Sequence, residues 1–89
     1  MKLRNKEDVL GDTKVGDVLC GVQTRMISME HRLGMVKVAK GVYIYASYPE
    51  TKELPKTGTI VSVRVQRVGQ GKRFRGIVKE VGIKNNVVV

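Results

Sequence analysis

The chain has 89 residues, and 17 Lys and Arg against 8 Asp and Glu give it a net charge of +9. Its isoelectric point is near 10.1. That length allows one small domain with a core only just adequate, and the single Cys20 excludes an internal disulfide and a cysteine-based zinc site. The first residues are charged and no long apolar run follows, so neither a signal peptide nor a membrane span is expected, and a reducing, cytoplasmic location is the default.

Residues 1–14 are polar and lack sustained periodicity, which predicts a flexible lead-in with at most a brief helical turn over 6–10. Val15-Gly16-Asp17 reads as a turn that launches a first strand over 18–27. There Val18, Cys20, Val22, Thr24 and Met26 fall on one face, and Leu19, Gln23 and Arg25 on the other. Cys20 reads as small buried filler. Gly21 in mid-strand predicts a bulge or bend, as tightly coiled barrel strands require.

After a polar link over 28–32, a second strand is expected over 33–38 and a third, antiparallel, over 42–47. Ala39-Lys40-Gly41 is the tight turn between them, with Gly41 placed for positive φ. Val36 and Val38 share parity with Val42, Ile44 and Ala46, which makes a core face. Leu33, Met35, Lys37, Tyr43 and Tyr45 then fall on the opposite face. Residues 48–57 hold both prolines and alternating charge, and predict a connecting loop with room for a short turn of helix.

A fourth strand is expected over 59–68, a flexible turn at Gly69-Gln70-Gly71-Lys72, and a fifth strand over 73–81. Between Leu54 and Lys79 there is no Asp or Glu, whereas Lys56, Arg64, Arg67, Lys72, Arg73, Arg75 and Lys79 are all basic. Surplus Lys and Arg often serve solubility alone. Here the excess is local as well as global and rides on β-structure, so nucleic acid is the partner it favours. Residues 83–89 predict a short edge strand or a tail. Five strands, mid-strand glycines and a long third-to-fourth link predict an all-β domain over 15–82: a small OB-fold barrel, with an SH3-like barrel as the alternative.

The order of these features resembles the S-one-type RNA-binding domain, the OB module of the largest small-subunit ribosomal protein. Val15-Gly16-Asp17-Val18 looks like that family's opening Val-Gly-Asp, and 21–26 is similar to its Gly-x-Val-x-x-Ile strand. Leu33-Gly34-Met35-Val36 stands where the family has Phe-Gly-x-Phe-Val, and 41–47 resembles its Gly-Leu-Val-His-Ile-Ser strand. Residues 57–65 resemble the start of its fourth strand. Leu33 and Met35 replace both usual phenylalanines, and Gly69 lies where an Asp is usual. The TRAM domain, another RNA-associated barrel, fits the spacing nearly as well.

Single-stranded nucleic acid is held by stacking bases on flat side chains while cations neutralise phosphates. Tyr45 stands where the resembled family has His, with Tyr43 on its face, Leu33 and Met35 as an apolar floor and Lys37 as a cation beside it. The tyrosines have an equally ordinary use in packing on a sheet. Lys72, Arg73, Phe74 and Arg75 form the second candidate cluster. Arg73 and Arg75 share parity, and Phe74 points the other way. It stacks a base if that side is solvent and fills the core if it is not; a barrel with one Phe favours the core. Arg64 shares parity with Ser62 and Gln66 and is expected outside, while Arg67 is left open.

Catalysis finds little support. His31, the only histidine, sits in a polar link, and Glu30, Glu50 and Glu53 lack metal-ligand spacing. No metal and no cofactor are expected. The sequence therefore predicts a non-catalytic module for single-stranded RNA. Its rivals are a DNA-binding barrel and a protein-interaction part using the same apolar patch.

Overall fold

The computed structural model describes residues 13–69 and 74–82. The expected helical turn over 6–10, most of the turn at 69–72 and the C-terminal strand at 83–89 lie outside them. Five strands follow in order: β1 (Val18–Ser28), β2 (Leu33–Ala39), β3 (Val42–Ser47), β4 (Ile60–Val68) and β5 (Phe74–Val81). Each lies within about two residues of its expected bounds.

The strands close into one barrel in the order β1-β2-β3-β5-β4. The long β1 makes this possible by pairing with β4 through residues 18–22 and with β2 through residues 22–28. β5 enters between β3 and β4, parallel to the first and antiparallel to the second. This is the Greek-key arrangement of an OB-type barrel. The parallel pair decides against an SH3-like meander. Among the described residues there is no helix, and the β3–β4 connection is irregular throughout.

The core face of the β2–β3 hairpin is as expected, with Val36, Val38, Val42, Ile44 and Ala46 all buried. Leu19, Val61, Val63, Val65, Phe74 and Val78 complete it from the other strands. β1 is the correction. Its core face is Leu19, Gly21 and Gln23, and Cys20 is exposed. The reason is closure: at Gly21 a Cβ would meet the Lys37 carbonyl oxygen at 2.5 Å and Val36 at 2.7 Å. Glycine therefore has to take the inward position where strands approach most closely, and the larger neighbours turn out. Ser62 is a second correction. It is buried between Val61 and Val63, beside a register shift where Ser62 pairs with Glu80 and Val63 with Val78.

Gln23 is 1% exposed and satisfied from both sides of its amide. Its Oε1 accepts a hydrogen bond from the buried Tyr48 hydroxyl at 2.6 Å, and its Nε2 donates to Met26 Sδ at 3.3 Å. The Gln23 backbone also accepts from Gly58 and donates to Thr59, both at 2.8 Å. One residue thus holds both ends of the β3–β4 connection. Gly34 lies opposite, where a Cβ would press on the Gln23 amide at 2.9 Å.

Burial pushes the Tyr48 phenol up from 10.0 to about 12. A raised phenol gives stability that is intact below the unfolded value and is lost as pH climbs from about 10 toward 12. Tyr48→Phe should leave Gln23 Oε1 without its donor and cost about 1–3 kcal/mol. Chemical denaturation of both proteins at neutral and alkaline pH checks this: the difference between them should shrink at high pH.

Candidate nucleic-acid interface

Strand register lines up the outward side chains in rows that cross the sheet. One row runs Arg25–Met35–Tyr45–Arg75–Arg67 over β1, β2, β3, β5 and β4, each residue the pairing partner of the next. The adjacent row is Leu33–Ser47–Ile77–Arg64, and on the other side Lys37 pairs with Tyr43. Rows stand about 7 Å apart along the strands, and neighbours within a row about 4.8 Å. The candidates Leu33, Met35, Lys37, Tyr43, Tyr45, Arg64 and Arg75 therefore share one continuous outer surface. Lys72 and Arg73 lie outside the described residues.

Because the barrel is closed, the long row wraps around it. A ligand lying on one side meets Met35, Tyr45 and Arg75, with Arg25 and Arg67 at the two flanks. Tyr43 is 37% exposed and Tyr45 is half-buried, so both side chains reach solvent on the outer face. Arg25 Nε donates to Met35 Sδ at 3.5 Å, which lays that guanidinium along the row.

Both flanking arginines reach the surface through irregularities. In β1, Gln23 pairs with Val36 and Arg25 with Met35, so Thr24 is an extra residue. In β4, Val65 pairs with Gly76 and Arg67 with Arg75, so Gln66 is an extra residue. A bulge reverses the in–out alternation beyond it. Gln23 and Arg25 share parity, yet the first is buried and the second exposed; Val65 and Arg67 are separated in the same way. The Thr24 hydroxyl donates to the Met35 carbonyl at 3.0 Å and holds the first bulge. Sequence alternation put Arg25 on one face with Leu19 and Gln23, did not single it out as a site residue, and left Arg67 open. Gly21 pointed to a bulge in β1 without marking its position.

Phe74 leaves the candidate list. It is 1% exposed and pairs with Ile44 in the core, so no base can stack on it. Its neighbour Arg75 keeps the outward position. At Gly76 the two strands approach so closely that a Cβ would collide with the Arg64 carbonyl oxygen and with Val63, which fixes the register of Arg75 against Arg67.

His31 is exposed in the β1–β2 link, with its backbone N–H on Ser28 Oγ at 3.2 Å. Among the described residues, no three His, Cys, Asp or Glu side chains gather closely enough to hold a metal ion. No described helix is long and apolar enough to cross a membrane. Compared with protein-family models, curated proteins and solved structures, the chain matches none.

The division into core and surface is open to test on two aromatic residues. Phe74→Ala should cost about 3–5 kcal/mol of stability, and Tyr45→Ala less than half of that. Urea unfolding of the two variants beside the parent protein measures both, and equal losses would contradict the assignment.

Proposed function

We propose that this protein is a non-catalytic module that binds single-stranded RNA across the outer face of β2, β3 and β5. The observation that carries the reading is the row Met35–Tyr45–Arg75, in which a flat ring stands between an apolar side chain and a guanidinium. A base has a π-face for the ring, and the phosphate beside it has a charge for the arginine. Tyr43 and Lys37 repeat the pairing of ring and cation one row away.

Three further facts support it. The β2–β3 face is where OB barrels take oligonucleotides. The acid-free window from Leu54 to Lys79 contributes Arg64, Arg67 and Arg75 to this surface, so phosphates meet little repulsion there. The resemblance to S-one-type and TRAM domains points to RNA within that class. With Leu33 and Met35 in place of aromatic residues, stacking is concentrated on the two tyrosines, and affinity leans on charge.

Four neutralised phosphates on a single strand should give a slope near −3 for log K against log salt, about fifty-fold between about 50 and 200 mM. Arg75→Glu should weaken binding to all sequences alike, because phosphate contacts carry no base information. Tyr45→Ala should cost about 1–3 kcal/mol of binding with the fold retained. Fluorescence anisotropy with short oligoribonucleotides, repeated with single-stranded and duplex DNA, reads all three. Undiminished RNA affinity in a folded Tyr45→Ala protein would remove this face as the binding site, and a salt-independent affinity would remove the electrostatic reading.

A further inference from the structure

Where the exposed rows pass from β5 to β4, the surface turns concave. Arg64, Arg67 and Arg75 converge on an open cleft of about 600 Å³ whose far wall is the turn at Val15 and Gly16. That wall is built into the sheet. The Gly16 N–H donates to the Val65 carbonyl and the Val65 N–H to the Asp17 carbonyl, both at 2.8 Å. The Asp17 carboxylate is engaged within the turn, accepting from the Lys14 backbone N–H at 2.9 Å. Gly16 has φ +97°, a backbone conformation that favours glycine, which fixes the turn at this wall.

Three guanidinium groups around one cleft repel each other, and a concave surface concentrates their field. The arrangement is the direct product of the β4 bulge. Without the bulge at Gln66, unbroken alternation would turn Arg67 inward and only Arg64 would remain from this strand. A guanidinium is planar and forked, which suits a phosphate's oxygens better than a point charge does. Because Gln66 is the extra residue, Arg64 and Arg67 face partners only two residues apart on β5, Ile77 and Arg75, which puts them about 7 Å apart along the strands, room for two neighbouring phosphates rather than one. Arg75 belongs to both places: its register partner on one side is Tyr45 and on the other Arg67.

We propose that this cleft holds two backbone phosphates of the same strand whose base lies on Tyr45, and so anchors the nucleic acid independently of sequence. The inference rests on the outer face being a single-strand surface, and adds the path: the chain leaves Tyr45, passes Arg75 and turns into the cleft against Val15 and Gly16.

The test uses the full chain and an oligouridylate of about eight nucleotides, a length within the range OB folds cover. Binding is measured by anisotropy across a salt series. The double variant Arg64→Gln/Arg67→Gln should lower the magnitude of the log–log slope by about 1.4, two phosphates' worth. Arg64→Lys/Arg67→Lys, which keeps the charge, should restore it. Tyr45→Ala should weaken binding at every salt concentration without changing the slope. Melting curves establish that the variants are folded; should the Gln pair melt lower, the single Arg67→Gln protein is read instead, against an expected fall of about 0.7. An unchanged slope in the Gln variants overturns the cleft, and a still-damaging Tyr45→Ala then leaves the outer face standing. A reduced slope together with a harmless Tyr45→Ala supports the cleft as a phosphate site and overturns the stacking face. A parent protein that fails to bind at about 50 mM salt overturns both.

Discussion

A sheet of five short strands closes on itself only if its strands coil sharply and approach closely where they cross. That constraint governs this molecule. It demands inward positions without side chains, met by Gly21 and Gly76, where any Cβ would strike the neighbouring backbone. It also demands extra residues that let one strand bend over its partner, met at Thr24 and Gln66. A flat sheet of this composition would hide Arg67 and keep Arg25 on the side of Gln23. Closure instead turns both arginines to solvent. The geometry of the barrel and the placement of its charge have one cause.

Closure also explains the unusual core. Most of its members are valines, isoleucine, leucine and alanines, with Phe74 and Tyr48 as the only aromatic residues. So small a core has little apolar area to spare, yet it admits Gln23. The side-chain amide earns its position by holding the irregular β3–β4 connection through the Tyr48 hydroxyl, beside the bonds that the Gln23 backbone makes to Gly58 and Thr59. A leucine in its place would leave the Tyr48 hydroxyl buried without an acceptor, and unsatisfied polar groups are expensive inside a protein.

Much of this was legible in the sequence. The β2–β3 hairpin alternates cleanly as far as Val38, so its core and outer faces could be separated by parity, although Ala39, read as part of the turn, belongs to β2, is buried and pairs with Val42 past a bulge. The strand count and long third-to-fourth link suggested the barrel. Parity failed in two ways: in β1 the wrong face was taken as core ahead of any bulge, and beyond the bulges the faces reversed. In β1 the apolar residues Val18, Cys20 and Val22 sit on the outside because the inward positions went to Leu19, Gly21 and Gln23. No alternation rule prefers a glutamine to a cysteine for the core. Only the Tyr48 hydroxyl, reached across 25 residues, gives the glutamine its reason. The candidate surface was read well where strands are regular, at Met35, Tyr43 and Tyr45. It was read incompletely on β1 and β4, where an inserted residue reversed the faces. Phe74 followed the simpler argument that a small barrel encloses its one phenylalanine.

Arg32 stands apart from the other cations. It occupies the left-handed region at φ 52°, uncommon for a residue with a Cβ. Its guanidinium donates to the carbonyls of Tyr48, Pro49 and Lys52, while its own carbonyl accepts from the Tyr48 N–H at 2.8 Å. A guanidinium committed to three carbonyls is withdrawn from the pool that meets phosphates, so this arginine is a fastener, whereas the other described arginines, Arg25, Arg64, Arg67 and Arg75, face outward. The link after β1 and the start of the segment after β3 are thereby clasped into one mechanical part. Neither can swing aside alone, and amide protons in the two should exchange with solvent in a single concerted opening.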